Sequence, residues 1–174
     1  MVKLPTTSSG PCEAETERRT QFLHDFGALL SLWAELEMAI EIRIAQLTGM
    51  SALDASIVLG SLQAGTRKNI LFSLLSERGD KGTIAIVKAT ISGSKRNPFV
   101  HSQLATEEDF SLFRLYQREV KDTYVVIARD YTADSFHEHF LAFRELHADA
   151  CAALGVTDDQ IDEYANGARL SKPD

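Results

Sequence analysis

The chain has 174 residues, of which 44% are hydrophobic and 25% are charged, and its formal net charge is −7. This length and composition are typical of a globular domain that can bury a proper core. No apolar run approaches the roughly 20 residues that a membrane-spanning helix needs, so we expect no membrane partner. The two cysteines lie far apart, which indicates no disulfide framework and fits a cytoplasmic location.

Basic residues are concentrated in one segment of this acidic chain. Residues 66–96 contain seven Lys and Arg against two Asp and Glu, a balance of +5 that leaves −12 for the remainder. Such a distribution allows an anion-binding face on an otherwise acidic protein. An ordinary solvated helix face explains the same pattern equally well.

Hydrophobic periodicity predicts a mainly all-α fold, a bundle of about five helices. Residues 1–12 are expected to form a flexible tail, residues 13–165 a single helical domain, and residues 166–174 a polar tail. The first helix is predicted over 13–48 and ends at Gly49. Further helices are predicted at about 52–62, 66–78, 83–96 and 132–154, with a short last helix up to residue 165.

The segment 110–130 has a weaker helical pattern than its neighbours. Residues 110–118 and 123–130 alternate imperfectly and are rich in aromatic and β-branched side chains, which favours an inserted β-hairpin. The alternative is one continued helix, because Glu119 and Lys121 in the connection are good helix formers.

The most informative residues lie just past the middle of the chain. Arg96 is followed by Asn97 and Pro98, and His101 stands five positions after Arg96. Pro98 removes a backbone donor and biases Asn97 away from the α region, so we expect the helix to stop or kink at Asn97. Such a break can bring an imidazole that titrates near neutrality beside a permanent cation. Alternatively, Arg96 caps a helix end and His101 packs in a turn.

This R-N-x-x-x-H pattern, which follows Leu- and Ile-rich helices and the segment Leu32–Glu37, resembles the HEPN superfamily. The resemblance covers about residues 20–104 and extends at most to residue 154. It implies a compact α-helical bundle, and many members are metal-independent RNases, often dimeric, that act as toxins or in defence. For this chain it implies RNA as substrate, a homodimer with both motifs in one cleft, an antitoxin protein as a further partner, and no cofactor.

The resemblance also implies roles for the motif residues. His101 would transfer protons, Arg96 would clamp the phosphate and stabilise its developing charge, and Asn97 would position one of them. The product would carry a 2′,3′-cyclic phosphate. In toxins paired with nucleotidyltransferase antitoxins a Tyr stands two residues after the His, whereas this chain has Gln103 there. Inactivation by tyrosine modification at that place is therefore in doubt.

Further basic residues are candidates for phosphate or RNA contacts. Lys88 and Lys95 are heptad-spaced with Lys81, so they line one edge of the predicted fourth helix, and Arg67 and Lys68 add charge on the third. Such a row suits a phosphate backbone. It would equally suit ordinary solubility.

Glu37 falls inside the apolar stripe of the first helix, where a carboxylate needs a partner or must stay protonated. It is either a core-edge residue paired with a neighbouring Arg or a supporting group that orients Arg96 or His101. No metal site is expected. His137 and His139 lie two positions apart on a helix and so face different sides, which indicates surface histidines.

Two other functions remain open from the sequence. One is a non-catalytic helical module of the same fold that binds a nucleotide or a partner protein, and the overall acidity of the chain favours it. The other is a purely structural dimer in which the motif only makes a helix break.

Overall fold

The computed structural model describes residues 13–107, 111–120 and 124–167. This part of the chain is mostly helical with a small antiparallel sheet, which confirms a mainly all-α fold with a β-hairpin. Within these ranges no helix combines the length and apolar character needed to cross a membrane. The elements in chain order are α1 (Glu13–Thr48), α2 (Ala52–Gly60), α3 (Ala64–Glu77), α4 (Lys81–Ser94), α5 (Arg96–His101), β1 (Ser102–Thr106), β2 (Phe113–Val120), β3 (Tyr124–Tyr131), α6 (Ala133–Leu154) and α7 (Asp158–Gly167).

Helix ends agree with the local sequence signals in most places. α1 has the predicted bounds, and Gly49 directly after it has a left-handed φ of 74° that a side chain would strain. Ser51 caps α2 by accepting a hydrogen bond from the backbone N of Asp54 at 3.1 Å. The predicted tail at 1–12 lies outside the described residues, as do residues 168–174. α7 extends two residues into the predicted polar tail.

The predicted position of the break after α4 is wrong. α4 ends at Ser94, and Lys95 adopts a left-handed conformation with φ 48° and ψ 29°. α5 begins at Arg96 and continues through His101, so no kink separates these two residues. Pro98 is the third residue of α5, and in a first helical turn its missing N–H removes no intrahelical hydrogen bond. The chain can therefore turn at Lys95 and accept Pro98 without a further break.

The chain divides into two compact units. One contains the described residues of Met1–Gly27 together with Asn97–Phe140, and the other contains Ala28–Arg96 together with the described residues of Leu141–Asp174. The helices α1 and α6 contribute residues to both units.

The sheet unit is built on an antiparallel sheet with strand order β1-β2-β3. The predicted hairpin is confirmed as β2 and β3, whereas β1 was not predicted; its Leu104 pairs with Leu115 of β2. Residues 110 and 121–123, parts of the predicted hairpin, lie outside the described residues, as do residues 108–109 before it. Phe22 of α1 stacks on Phe113 at 3.8 Å between ring centroids, and both rings are fully buried. The aromatic core thus holds the sheet against α1.

The helical unit has a core of aliphatic side chains from all of its helices. Its fully buried members include Leu36, Ile44, Leu71, Leu75, Val87 and Leu154. α4 and α6 approach closely: Thr90 Oγ1 donates to the carbonyl of Leu146 at 3.0 Å, and a Cβ at Gly93 would lie 2.6 Å from Leu146 Cδ1. This tight contact fixes the end of α4, from which the chain turns into Arg96.

Candidate functional site

Arg96 is held at the start of α5 by its backbone and by an aromatic ring. Its backbone N donates to Ser94 Oγ at 3.2 Å, and Ser94 is fully buried. Its guanidinium carbon Cζ lies 5.7 Å from the centroid of the Trp33 ring on α1. A cation at this distance over an indole is attracted by the electron-rich ring face. The helical unit therefore places the predicted phosphate clamp on an aromatic support.

Trp33 is itself fixed by the carboxylate of Glu37, one helical turn further along α1. Trp33 Nε1 donates to Glu37 Oε1 at 2.6 Å, and the other oxygen, Oε2, accepts from Arg67 Nη2 at 2.9 Å. Glu37 thus pairs with an Arg, which was one of the two expected alternatives. It also holds the ring on which Arg96 lies, so its contact with the motif runs through Trp33.

Arg67 lies in an internal ion-pair network. Its Nη1 donates to Glu41 Oε1, and Glu41 Oε2 accepts from the hydroxyl of Tyr164 on α7 at 3.0 Å. The side chains of Arg67 and Glu41 are only 13% and 9% exposed. Burial, together with the charge of Glu41, raises the pKa of Tyr164, so that the hydroxyl stays a donor. Two carboxylates thus neutralise the charge of Arg67, which the sequence had suggested for phosphate or RNA contacts.

The remaining motif residues belong to the sheet unit. Phe99, in the middle of α5, is 3% exposed and meets the rings of Tyr131 and Phe136 at centroid distances of 5.7 and 5.3 Å. Asn97 and His101, on either side of this anchor, are exposed. One buried aromatic side chain therefore docks α5 in the sheet unit and leaves the imidazole of His101 at the surface.

The predicted lysines differ in their surroundings. Lys95 is exposed at the left-handed turn, and Lys88 is exposed on α4 with its Nζ 5.3 Å from the centroid of the Phe72 ring. Lys88 and Phe72 also line an open groove of about 650 Å³ between α3 and α4. Lys68 is half-buried on α3. Lys88 and Lys95 thus present accessible positive charge along α4 and at its end.

A second polar cluster was not recognised in the sequence. Asp25 on α1 is 1% exposed; its Oδ2 accepts from Gln21 Nε2 at 2.8 Å and from His137 Nδ1 at 2.9 Å, and its Oδ1 accepts from His24 Nδ1 at 3.1 Å. Burial alone would raise the pKa of Asp25, but these hydrogen bonds outweigh it and hold the pKa below its ordinary value.

The sequence signal for this cluster was a carboxylate inside an apolar stripe. Asp25 lies between Phe22 and Leu29 at helical spacing. Glu37 interrupts the same apolar stripe further along α1. His137, expected at the surface, is half-buried against Asp25, and the His139 ring lies 5.3 Å from the ring of Phe99. In the part of the chain that the structure describes, no group of three or more His, Cys, Asp or Glu side chains is arranged to hold a metal ion.

Comparisons of the chain with models of protein families, with curated proteins and with solved structures give no match. The resemblance to the HEPN superfamily therefore depends on the residues from Arg96 to His101 and on their place in the helical order, and it stays a prediction.

Proposed function

We propose that this protein is a metal-independent endoribonuclease of the toxin or defence type, active in the cytoplasm as a homodimer and held in check by an antitoxin protein. The observation that carries the proposal is the short helix α5, which consists of the motif residues themselves. It is docked by one buried ring, that of Phe99, so that His101 is exposed, while Arg96 at its first position lies over Trp33.

The chemistry requires proton transfer and charge stabilisation only. The 2′-oxygen of a ribose attacks the neighbouring phosphorus, the bond from phosphorus to the 5′-oxygen breaks, and a 2′,3′-cyclic phosphate forms. A base takes the proton of the 2′-hydroxyl, and an acid supplies one to the departing 5′-oxygen, so no further reactant is consumed. His101 suits both roles because one ring nitrogen of an imidazole accepts a proton and the other donates one. A homodimer supplies two such imidazoles.

Arg96 and Asn97 complete the proposed site. A guanidinium matches the oxygens of a phosphate and stabilises the negative charge that grows on them in the transition state. Asn97 is exposed and carries both a donor and an acceptor, which suits it to hold a ribose or a phosphate oxygen. Lys88 and Lys95 supply further positive charge for the RNA backbone, with Lys68 as a third contact.

A second candidate function is a non-catalytic module that binds a partner protein. The observation that favours it is the apolar surface of α2, where Leu53, Ile57 and Val58 are 42%, 64% and 50% exposed. Exposed apolar side chains grouped on one helix are typical of interaction surfaces. The net charge of −7 also disfavours unspecific nucleic-acid binding.

The test is RNA cleavage by the purified protein in EDTA, beside His101→Ala and Arg96→Ala. We expect each substitution to lower the cleavage rate by at least about 100-fold with unchanged circular dichroism. Removal of a general acid–base group, or of a group that stabilises charge in the transition state, lowers reaction rates by this factor or more. Gln103→Ala, an exposed residue two positions beyond His101, is the matched control and should retain full activity. Mass spectrometry of the fragments should show cyclic-phosphate ends.

Three outcomes would decide between the candidates. Cleavage that survives in both site variants would come from a contaminant and contradict the site. Equal loss in Gln103→Ala would show that the substitutions act through the fold of this region. A folded protein that cleaves none of several RNAs but captures a partner through α2 would favour the binding module.

A further inference from the structure

We propose that Trp33 is the positioning residue for Arg96, which it holds in a preorganised orientation for the phosphodiester oxygens of RNA. The inference rests on the proposed function for the ligand of Arg96. It begins with the contact between the Arg96 guanidinium and the Trp33 ring, 5.7 Å from Cζ to the ring centroid. Both side chains are half-buried, and partial removal of water strengthens a contact between a cation and an aromatic face.

The Trp33 ring cannot turn freely. An indole has one hydrogen-bond donor, and here it donates to Glu37 Oε1 at 2.6 Å. Rotation of the Trp33 side chain would break this charge-assisted bond. The neighbouring carboxylate also polarises the N–H group and increases the electron density of the ring, which favours a cation over its face.

Glu37 is itself held from the side opposite Trp33. Its Oε2 accepts from Arg67 Nη2 at 2.9 Å, Arg67 also donates to Glu41, and Glu41 accepts from Tyr164. These contacts tie α3 and α7 to the face of α1 that carries Trp33. The Glu37 carboxylate therefore belongs to a network whose other members are mostly buried. Because this network fixes the carboxylate, its hydrogen bond to Trp33 fixes the ring.

A phosphate clamp needs a guanidinium that is held in place. An Arg side chain has several rotatable bonds, and a freely moving guanidinium loses much of that freedom when it binds. A group held beforehand in its bound orientation avoids this loss and lowers the barrier of the reaction it assists. The contact over the ring acts on the positive charge of Arg96, so it orients the clamp.

The test exploits the fact that the chain has one tryptophan, so its fluorescence reports on Trp33 alone. We expect Arg96→Ala to shift the emission maximum and to raise the acrylamide quenching constant, because the cation that covers the ring is lost. Arg96→Lys should restore part of both. Lys81→Ala, at an exposed position at the start of α4, is the control and should change neither.

A titration with a short RNA carrying 2′-O-methyl groups, which cannot be cleaved, then tests ligand binding. We expect a saturable change of emission in the unmodified protein and no change in Arg96→Ala. Unaltered emission after Arg96→Ala, or no response to RNA in the unmodified protein, overturns the inference. Both measurements keep Trp33 in place and need no catalytic activity, so they decide the inference even where cleavage, and with it the proposed function, fails.

Where cleavage is observed, a double-mutant cycle measures the coupling of the two side chains. Trp33→Leu should lower kcat/KM by about 5- to 30-fold, the range of a partly desolvated cation–π contact. Trp33→Phe keeps an aromatic face but loses the bond to Glu37, so its loss should be smaller than that of Trp33→Leu but still measurable. In the Arg96→Ala background, Trp33→Leu should cause no further loss. The same loss in both backgrounds would show that Trp33 does not act through Arg96 and would overturn the inference, while cleavage by the unmodified protein would leave the proposed function standing.

Discussion

Asp25→Asn replaces a buried carboxylate by an amide of nearly the same shape, and it tests the polar cluster between α1 and α6 in the sheet unit. Asp25 is 1% exposed and accepts hydrogen bonds from Gln21, His137 and His24. The substitution removes the charge and keeps one acceptor oxygen. The loss of stability should therefore measure the charge assistance of these bonds, with little contribution from a cavity.

The size of the effect follows from the contacts. A hydrogen bond to a charged group contributes about 1.5–3 kcal/mol to stability, and a neutral one about 0.5–1.5 kcal/mol. The side chain of His24 is 71% exposed, so water replaces this bond at small cost. The hydrogen bonds from Gln21 and His137 should each contribute about 1 kcal/mol less to stability. We therefore expect the free energy of unfolding to fall by about 2 kcal/mol in total at pH 7. In a chain of this length that lowers the Tm by about 4–8 °C.

The loss should depend on pH in a defined direction. Burial acts to raise the pKa of Asp25, but the hydrogen bonds outweigh it, so the pKa is lower in the folded protein than in the unfolded chain. Such a carboxylate stabilises the fold above its unfolded pKa of about 3.9, and this contribution disappears as the pH falls through the lower, folded pKa. The difference in the free energy of unfolding between the unmodified protein and Asp25→Asn should therefore be fully present at pH 5 and shrink below about pH 4.

The assay is urea unfolding followed by circular dichroism at pH 7, 5 and 3. Glu138→Gln, which removes an exposed carboxylate beside His137, is the matched control and should change the free energy of unfolding by less than about 0.5 kcal/mol. A loss below about 0.5 kcal/mol for Asp25→Asn at pH 7 would refute the reasoning. An equal loss at pH 3 and pH 7 would refute it as well, because the charge would then not be its cause.

Three further predictions concern single side chains. Lys95→Gly should raise the free energy of unfolding by up to about 1 kcal/mol, since Lys95 has φ 48° and glycine adopts this region without strain, while Lys95→Ala should bring no gain in the same urea assay. Arg67→Met should lower the free energy of unfolding by about 3 kcal/mol, because it leaves the carboxylates of Glu37 and Glu41 without their cation. Lys68→Met is the control; an equally small change in the free energy of unfolding for both variants would contradict the network. In a Cys12→Ser background, Cys151 should react with a disulfide reagent at pH 8 about 100-fold more slowly in the folded than in the unfolded protein. The reason is that burial first, and then the charges of acidic neighbours, raise the pKa of its thiol to about 11. Equal reaction rates in the two states would contradict this prediction.

Local sequence patterns were sufficient for most of the helical order. The bounds of α1 were predicted correctly because its apolar residues recur at helical spacing up to Gly49, where the backbone turns left-handed. The hairpin of β2 and β3 was also predicted, from alternation and β-branched residues. β1 was missed because its five residues, Ser102–Thr106, carry no such pattern, and they form a strand only by pairing with β2.

The break before α5 shows a second limit of local rules. Pro98 correctly indicated that the helix must end nearby, but a proline is also accepted in the first turn of a new helix. The observed turn at Lys95 needs a left-handed lysine, which intrinsic preference disfavours. The packing of α4 on α6 and the burial of Phe99 outweigh that local preference.

For the candidate site, the sequence by itself predicted which side chains would carry the chemistry, an Arg and a His five positions apart, and it placed a carboxylate, Glu37, at an apolar position that demands a partner. Only the tertiary structure decided the partners. Glu37 bonds to Arg67 on α3 and to Trp33, the ring of Trp33 lies under Arg96, and Asp25 meets His137 from 112 positions away. The physical reason is that periodicity reports which face of a helix is buried, whereas the partner of a buried polar group depends on which helices the whole core brings into contact.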